Sequence, residues 1–344
     1  MFVNSLITAN ALYFIVYIAE CKCFFNISLF LYREIGKYPY FLISLFMIQS
    51  KQGDERMDSA ILVRDIEAIK KHKGAIVITS GNQKGGAGKT TNTELIGYQL
   101  AKYGIKTLLI DMDPQNNLSQ HLILTRSARN DDVLVIQKTL MVGVTQGNVE
   151  DLPMRVLDDL YLLPCSTDFA DYPKYLWKTT KNDNEADHLI PNLFEPLRSQ
   201  YDVILIDTPP LNKEISTAAC VFSDFVLIAL QTEADSLNGA EEYLSLLSSL
   251  KTEYDLPVQV LGVLPMIMNK RGTVDKSVLA TATSEFGREN IFSTVIPRME
   301  RIKRFKLTGI TEKDRFDKRV LDLYERITAE FVRRIVVYGE LEDK

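Results

Sequence analysis

Ala75-Ile76-Val77-Ile78-Thr79-Ser80-Gly81-Asn82-Gln83-Lys84-Gly85-Gly86-Ala87-Gly88-Lys89-Thr90-Thr91 is the stretch that decides the fold. Residues 75–80 are apolar and β-branched, the composition of a buried parallel strand. From Lys89 to Tyr103 the pattern turns helical, with Leu95, Ile96, Gln99 and Leu100 near one face and Gly104 as the stop. Strand, glycine-rich loop and helix in that order aim backbone N–H groups and a helix N-terminus at phosphate. We read Gly81 as opening the loop and Gly88, Lys89 and Thr90 as closing it. Gly85, Gly86, Ala87, Gly88, Lys89, Thr90 and Thr91 are then the nucleotide-binding residues, with Lys89 placed to reach the β- and γ-phosphates. Lys84 is surplus to its own loop. A second lysine beside one triphosphate points to a site shared between two subunits.

Two further strands end in carboxylates. Residues 106–110 lead into Asp111-Met112-Asp113-Pro114-Gln115, and residues 201–206 lead into Asp207-Thr208-Pro209-Pro210. Open α/β sheets bind ligands at the carboxyl ends of their strands. Magnesium takes hard oxygen ligands and keeps several waters. Thr90 is the expected direct ligand, Asp207 the holder of a metal-bound water, and Asp111 a second-water contact. Asp113, past its strand end, is the expected group for orienting an attacking water. Strand and helix patterns alternate along the rest of the chain. Strands are expected near 160–164, 202–207, 225–230, 258–264 and 291–295, with helices over 215–222, 239–251, 274–286 and 316–335. That alternation predicts a single α/β domain with a doubly wound, mostly parallel sheet flanked by helices.

Gln83 to Thr91, Asp111 to Gln115 and Asp207 to Pro210 together resemble the ParA/Soj partition ATPases, deviant Walker A proteins of the class that also includes MinD. Leu162-Leu163-Pro164-Cys165-Ser166 and Val295-Ile296-Pro297-Arg298 extend the resemblance over roughly residues 74–310. It implies a P-loop ATPase using ATP and Mg2+. Two subunits would sandwich ATP, with Lys84 reaching across the homodimer and Lys84, Lys89 and Asp113 serving hydrolysis. The resemblance also implies nonspecific binding to double-stranded DNA, a centromere-binding ParB-like partner that stimulates hydrolysis, a cytoplasmic, nucleoid-associated location and a bacterial plasmid as source. Asn116 departs from the family's usual glycine, and asparagine tolerates a left-handed backbone better than most residues.

The chain has 344 residues, 46% of them hydrophobic, and a formal charge of −5, so bulk charge does not mark a nucleic-acid binder. Local charge does: residues 298–319 hold nine basic residues against four acidic ones. Such groups neutralise phosphates and supply sequence-independent DNA affinity. By motif position Arg301 and Arg271 match the family's DNA contacts; Lys303, Arg304 and Lys306 are added from charge alone. Met268, Asn269, Pro297 and Met299 lie after two late strands, where related proteins hold the adenine, and core packing is the competing reading. The cysteines show no paired metal spacing.

Residues 1–56 are rich in Phe, Tyr, Ile and Leu without clear period. Their apolar runs are shorter than the ~20 residues of a membrane helix, and no cleavage signal follows a basic start. We expect 1–56 to be an untranslated leader or a disordered extension and 57–344 to be the ATPase domain, with Met57 as the natural start and Met47 as the competitor. Three rivals share this motif class. A MinD-like membrane switch needs a membrane-seeking C-terminal helix. Ile327, Phe331 and Ile335 could form one, but the acidic tail suits an anionic membrane poorly, so no stable membrane association is expected. An iron–sulfur reductase needs bridging cysteines that Cys165 and Cys220 do not match, and a tyrosine kinase needs a tyrosine-rich tail.

Overall fold

In the computed structural model, the residues described are 59–129, 135–267 and 272–341. The expected leader, and the expected contacts Met268, Asn269 and Arg271, lie outside them. The apolar run before the loop is strand β1, Ile76–Gly81, buried at every residue. Around it stand β2 (Thr107–Asp111), β3 (Met154–Leu157), β4 (Leu160–Leu163), β5 (Val203–Asp207), β6 (Phe225–Gln231), β7 (Gln259–Ile267) and β8 (Ile296–Pro297). They form an eight-stranded sheet in the order β3-β4-β2-β5-β1-β6-β7-β8. Only the β3–β4 pair is antiparallel. The chain leaves β1 towards β2 on one side and later crosses from β5 to β6 on the other. The loop after β1 therefore sits at the switch point of a doubly wound sheet, where such folds bind ligands.

Helices cover both faces. A helix over residues 59–71, α1, precedes the sheet. Then follow α2 (Lys89–Lys102), α3 (Asn117–Arg129), α4 (Leu140–Gln146), α5 (Tyr172–Thr179), α6 (Asp183–Phe194) and α7 (Lys213–Phe222). The last are α8 (Ala234–Tyr254), α9 (Thr273–Phe286), α10 (Glu300–Thr308) and α11 (Arg315–Tyr338). Alternate β1 residues divide between the faces: Ile76 and Ile78 pack towards α2 and α11, Val77 towards α6 and α7. Helix α11 buries Ile327, Phe331 and Ile335 completely in that first layer. Each such side chain contributes roughly 1.5–3 kcal/mol of burial. The stripe that a membrane-seeking tail would expose is thus spent on the core. Among the described residues, no helix is long and apolar enough to cross a membrane.

One expected strand is displaced. Residues 291–295 touch the sheet only through a single bridge, Ile291 to Val263, and the strand itself is β8. Phe292 N donates to Val263 O at 2.9 Å, and beyond it the chain turns to α11: the Ser293 N–H and hydroxyl both donate to the Glu330 carboxylate, at 3.0 and 2.5 Å.

Candidate functional site

Gly81 closes β1 because nothing larger fits: a Cβ there would lie 2.5 Å from the Tyr243 ring. It does not open the phosphate loop, as expected above. The opening position of a G-x-x-x-x-G-K-[ST] loop, five residues before Gly88, holds Gln83. What shapes the start of this loop is Asn82, a buried residue that sequence reading passed over. Its side-chain amide donates to Ala229 O at 2.7 Å and Ser236 O at 3.0 Å, and its Oδ1 accepts from Lys84 N at 2.7 Å. The loop is thereby clipped to β6 and α8. Gly239 on α8 makes room for the clip, since a Cβ there would come within 2.5 Å of Asn82 Oδ1. Gly86 and Gly88 adopt φ of 80° and 101°, values that only glycine holds without strain, and Gly88 caps α2.

Lys89 opens α2 and is buried to 6% exposure. Its ammonium donates to Asn82 O at 2.8 Å and Lys84 O at 3.4 Å. Burial pulls its pKa down, while Asp207 and Asp113 pull it back up. Lys84 behaves differently. Its backbone is fixed by Asn82, but its ammonium points to Asp235 of α8, 3.0 Å away, and the side chain remains 39% exposed.

The strand-end aspartates stand side by side, with Asp111 and Asp207 paired in register between β2 and β5. Their circumstances differ. Asp111 Oδ1 accepts from Asp113 N at 3.1 Å, and its Oδ2 accepts from Ser119 N and Oγ at 2.9 and 2.7 Å. It holds the first turn of α3 in place. Asp207 is fully buried, and neither of its oxygens has a hydrogen-bond partner among the described residues. Thr90 lies close enough to favour its charged form without meeting hydrogen-bond geometry. Burial, then the neighbouring Asp111, push the Asp207 pKa up to about 8. Burial raises Asp111 to about 6 against the opposing pull of Ser119. Asp113, past the strand, accepts from Gln115 N at 2.9 Å and faces the cavity. Orphaned carboxylate oxygens beside a hydroxyl and beneath a phosphate loop are a donor set that fits a hard cation.

A cavity of about 470 Å³ lies over the loop. It brings together residues 85–91, Asp113, Pro297 and Met299, all expected at the nucleotide. Met266 also lines it, 3.1 Å from where a Gly88 Cβ would stand. So do Lys303 and Lys306, which charge alone had placed on DNA. Met299, Ile302, Lys303 and Lys306 follow i, i+3, i+4, i+7 spacing, so one face of α10 turns towards the cavity. Arg301 departs from expectation too. Its guanidinium pairs with Asp314 at 2.6 Å and with buried Asp317 at 3.2 Å, and it covers the Phe316 ring. It ties α10 to α11 and is mostly buried, so it is not placed as a DNA contact. Arg304 is exposed.

Sheet order, loop and strand-end aspartates together define a P-loop nucleotide-binding protein with a second, outward-turned lysine in its loop. The AAA_31 family model, an AAA domain, matches residues 75–260. The chain belongs to that family, among the ParA/Soj partition ATPases. A chromosome partitioning protein ParA from Caulobacter vibrioides is 28% identical over 231 residues, 66% of this chain and 82% of its own. A chromosome-partitioning ATPase Soj from Treponema pallidum is 28% identical over 255 residues, 74% of this chain and 95% of its own. A Cyanothece McdA variant in complex with ATP shares the fold with a TM-score of 0.62 at 19% identity, covering 79% of this chain and 99% of that one.

Proposed function

We propose that this partition ATPase is an ATP-driven dimer switch. Two copies close over ATP, each Lys84 leaving Asp235 to contact the nucleotide held by the other. The observation that carries the proposal is Lys84 itself: a backbone locked by Asn82 bears a half-exposed side chain held on the surface by one ion pair. The loop amides and Lys89 hold the phosphates. Thr90 and Asp207 hold Mg2+, with Asp111 behind them; the ion, when bound, neutralises phosphate charge. Asp113, fixed by Gln115 N, orients the attacking water and accepts its hydrogen bond. Pro297, Met299 and Met266 form the apolar wall for the base.

The ATP dimer binds duplex DNA without sequence preference. Joining two modest basic surfaces on one rigid body supplies the ATP requirement through avidity. The exposure of Arg304 supports its reading as a phosphate contact. A ParB-like centromere-binding partner stimulates hydrolysis and releases the dimer.

The test is DNA binding with ADP, ATP and a nonhydrolysable analogue. Lys89→Ala is expected to lose nucleotide-dependent function. Asp113→Ala keeps ATP-dependent DNA binding and loses turnover. Lys84→Ala binds ATP but forms no active dimer. Equal DNA affinity with ADP and ATP, or a Lys84→Ala protein that dimerises and hydrolyses normally, overturns the reading.

A further inference from the structure

A second cavity lies apart from the nucleotide cavity. It measures about 630 Å³ and opens at the other end of α2, where Tyr98 and Lys102 of its last turns meet Arg126 and Arg129 of α3, Arg155 of β3 and Glu312. Thirteen helical steps separate Lys89 from Lys102, a distance of about 20 Å along the axis. The two sites are therefore distinct.

A single oxygen organises the recess. Glu312 Oε1 accepts from Tyr98 Oη at 2.6 Å and from Lys102 Nζ at 3.1 Å, and it pairs with Arg129 at 3.0 Å. Three donors from two helices thus converge on one anionic oxygen, which is how proteins cradle an oxyanion. Tyr98 and Lys102 together draw the Glu312 carboxyl down to about 2. Yet Glu312 is not built into the sheet or a helix. It sits on the segment between α10 and α11, with its side chain 35% exposed. Beyond that oxygen, Arg126 donates to Arg155 O, and Arg155 pairs with the exposed Asp158. Among the described residues, its lining carries four cations and two carboxylates, Glu312 and Asp158. Its volume is that of a small-ligand site, not of a groove for a duplex.

We propose that this recess is a second anion site, which takes a small oligophosphate group and for which Glu312 is the intramolecular stand-in. An incoming oligophosphate brings more charge and more oxygens than one carboxylate. It would take over the cradle of Tyr98, Lys102 and Arg129 and engage the Arg155 guanidinium bidentately. Releasing Glu312 removes one tie of the segment after α10, the helix that lines the nucleotide cavity with one face, while Ile310 N to Thr125 Oγ1 and Thr311 Oγ1 to Asp317 remain. Any effect on nucleotide affinity that results must be reciprocal.

The test uses the full-length protein saturated with a nonhydrolysable ATP analogue and Mg2+, so that the loop site is filled. Inorganic tripolyphosphate is titrated by calorimetry, with a nucleoside triphosphate in a parallel arm. One further equivalent of tripolyphosphate is expected to bind. Equal affinity in the two arms assigns the site to the oligophosphate group alone; tighter nucleotide binding adds recognition of a base. Arg129→Ala with Lys102→Ala should weaken binding about tenfold or more. Glu312→Gln, which removes the internal competitor, should tighten it about tenfold, a gain that misfolding cannot produce. No further equivalent in wild type and Glu312→Gln, or affinity indifferent to both sets of changes, overturns the proposal. Displacement of tripolyphosphate by a short DNA duplex would also overturn it, by making the recess a nucleic-acid surface.

Discussion

Asp207→Asn isolates the strain stored at the proposed metal site. The carboxyl is fully buried, has no partner for either oxygen among the described residues, and stands beside Asp111. Its folded pKa is about 8, against about 3.9 in an unfolded chain. The folded state therefore holds a proton that the unfolded state releases between roughly pH 4 and pH 8. The resulting penalty is absent below that window, grows through it and is complete above it, so stability falls as pH rises. At ~1.4 kcal/mol per unit the shift corresponds to on the order of 5 kcal/mol, and the nearby Lys89 and any entering water bring the net cost to on the order of 2–5 kcal/mol. The amide is nearly isosteric and never ionises. Without metal and nucleotide, we predict that the variant is more stable than wild type at pH 8 by that amount. The two should converge near pH 4. Addition of Mg2+ and ATP should reverse the ranking, because wild type then gains the ion and the variant does not. Denaturant melts from pH 4 to pH 8, with EDTA or with Mg2+ and ATP, read all of this. A variant no more stable than wild type at pH 8 in EDTA would refute the reasoning, as would one that keeps the full Mg2+-dependent gain.

Three further perturbations test neighbouring parts of the site. Asp235→Ala should free Lys84; an exposed pair is worth about 0.2–1 kcal/mol, and two are broken per dimer, so the ATP dimer should tighten between about twofold and about thirtyfold. Sedimentation in an Asp113→Ala background measures this, and an unchanged or weaker dimer counts against it. Gly239→Ala pushes a methyl to 2.5 Å from Asn82 Oδ1 and 2.8 Å from Lys84 N, so nucleotide affinity should fall at least about tenfold while the far-UV spectrum stays unchanged. Normal affinity would show that the Asn82 clip does not shape the loop. Arg301→Ala leaves buried Asp317 without its cation and should cost on the order of 3 kcal/mol in thermal or denaturant melts; a normal melt with lost DNA binding would restore Arg301 as a DNA contact.

The phosphate loop, the strand-end aspartates and the sheet class were legible because each is written in consecutive residues. A run such as residues 76–81 announces a buried strand by composition, and Gly88-Lys89-Thr90 announces its ligand by spacing. Asn82 and Gly239 were not legible. Their contact spans 157 positions, and nothing local to either residue marks it. The misplacement of Gly81 has the same origin, since its smallness answers to Tyr243 on α8 rather than to the loop. Charge counting could not sort the basic stretch. Nine cations along 298–319 look alike in one dimension, yet the helical turn of α10 turns Lys303 and Lys306 towards the nucleotide cavity, Arg301 to Asp317 and Arg304 to solvent.

The same turn bears on what a partition switch of this build can sense. Helix α10 lines the nucleotide cavity with one face, and the segment that follows it inserts Glu312 into the cradle at the far end of α2. Gly309, at φ 70°, stands so close to α3 that a Cβ would lie 2.3 Å from Thr125 N, and Ile310 N donates to Thr125 Oγ1 at 2.9 Å. The segment is therefore held against α3 between two charged sites. Lys303 and Lys306 line the nucleotide cavity at one end of this unit, while Glu312 holds the other. In the proposed dimer Lys84 would be a lever of the same kind, with a rigid base and a choice between Asp235 and phosphate. Both proposed devices turn on a carboxylate that phosphate would displace: Asp235 for Lys84, and Glu312 for Lys102 and Arg129. Neither carboxylate forms part of the loop motif, so substitutions at Asp235 and Glu312 should retune the switch while leaving the phosphate loop intact.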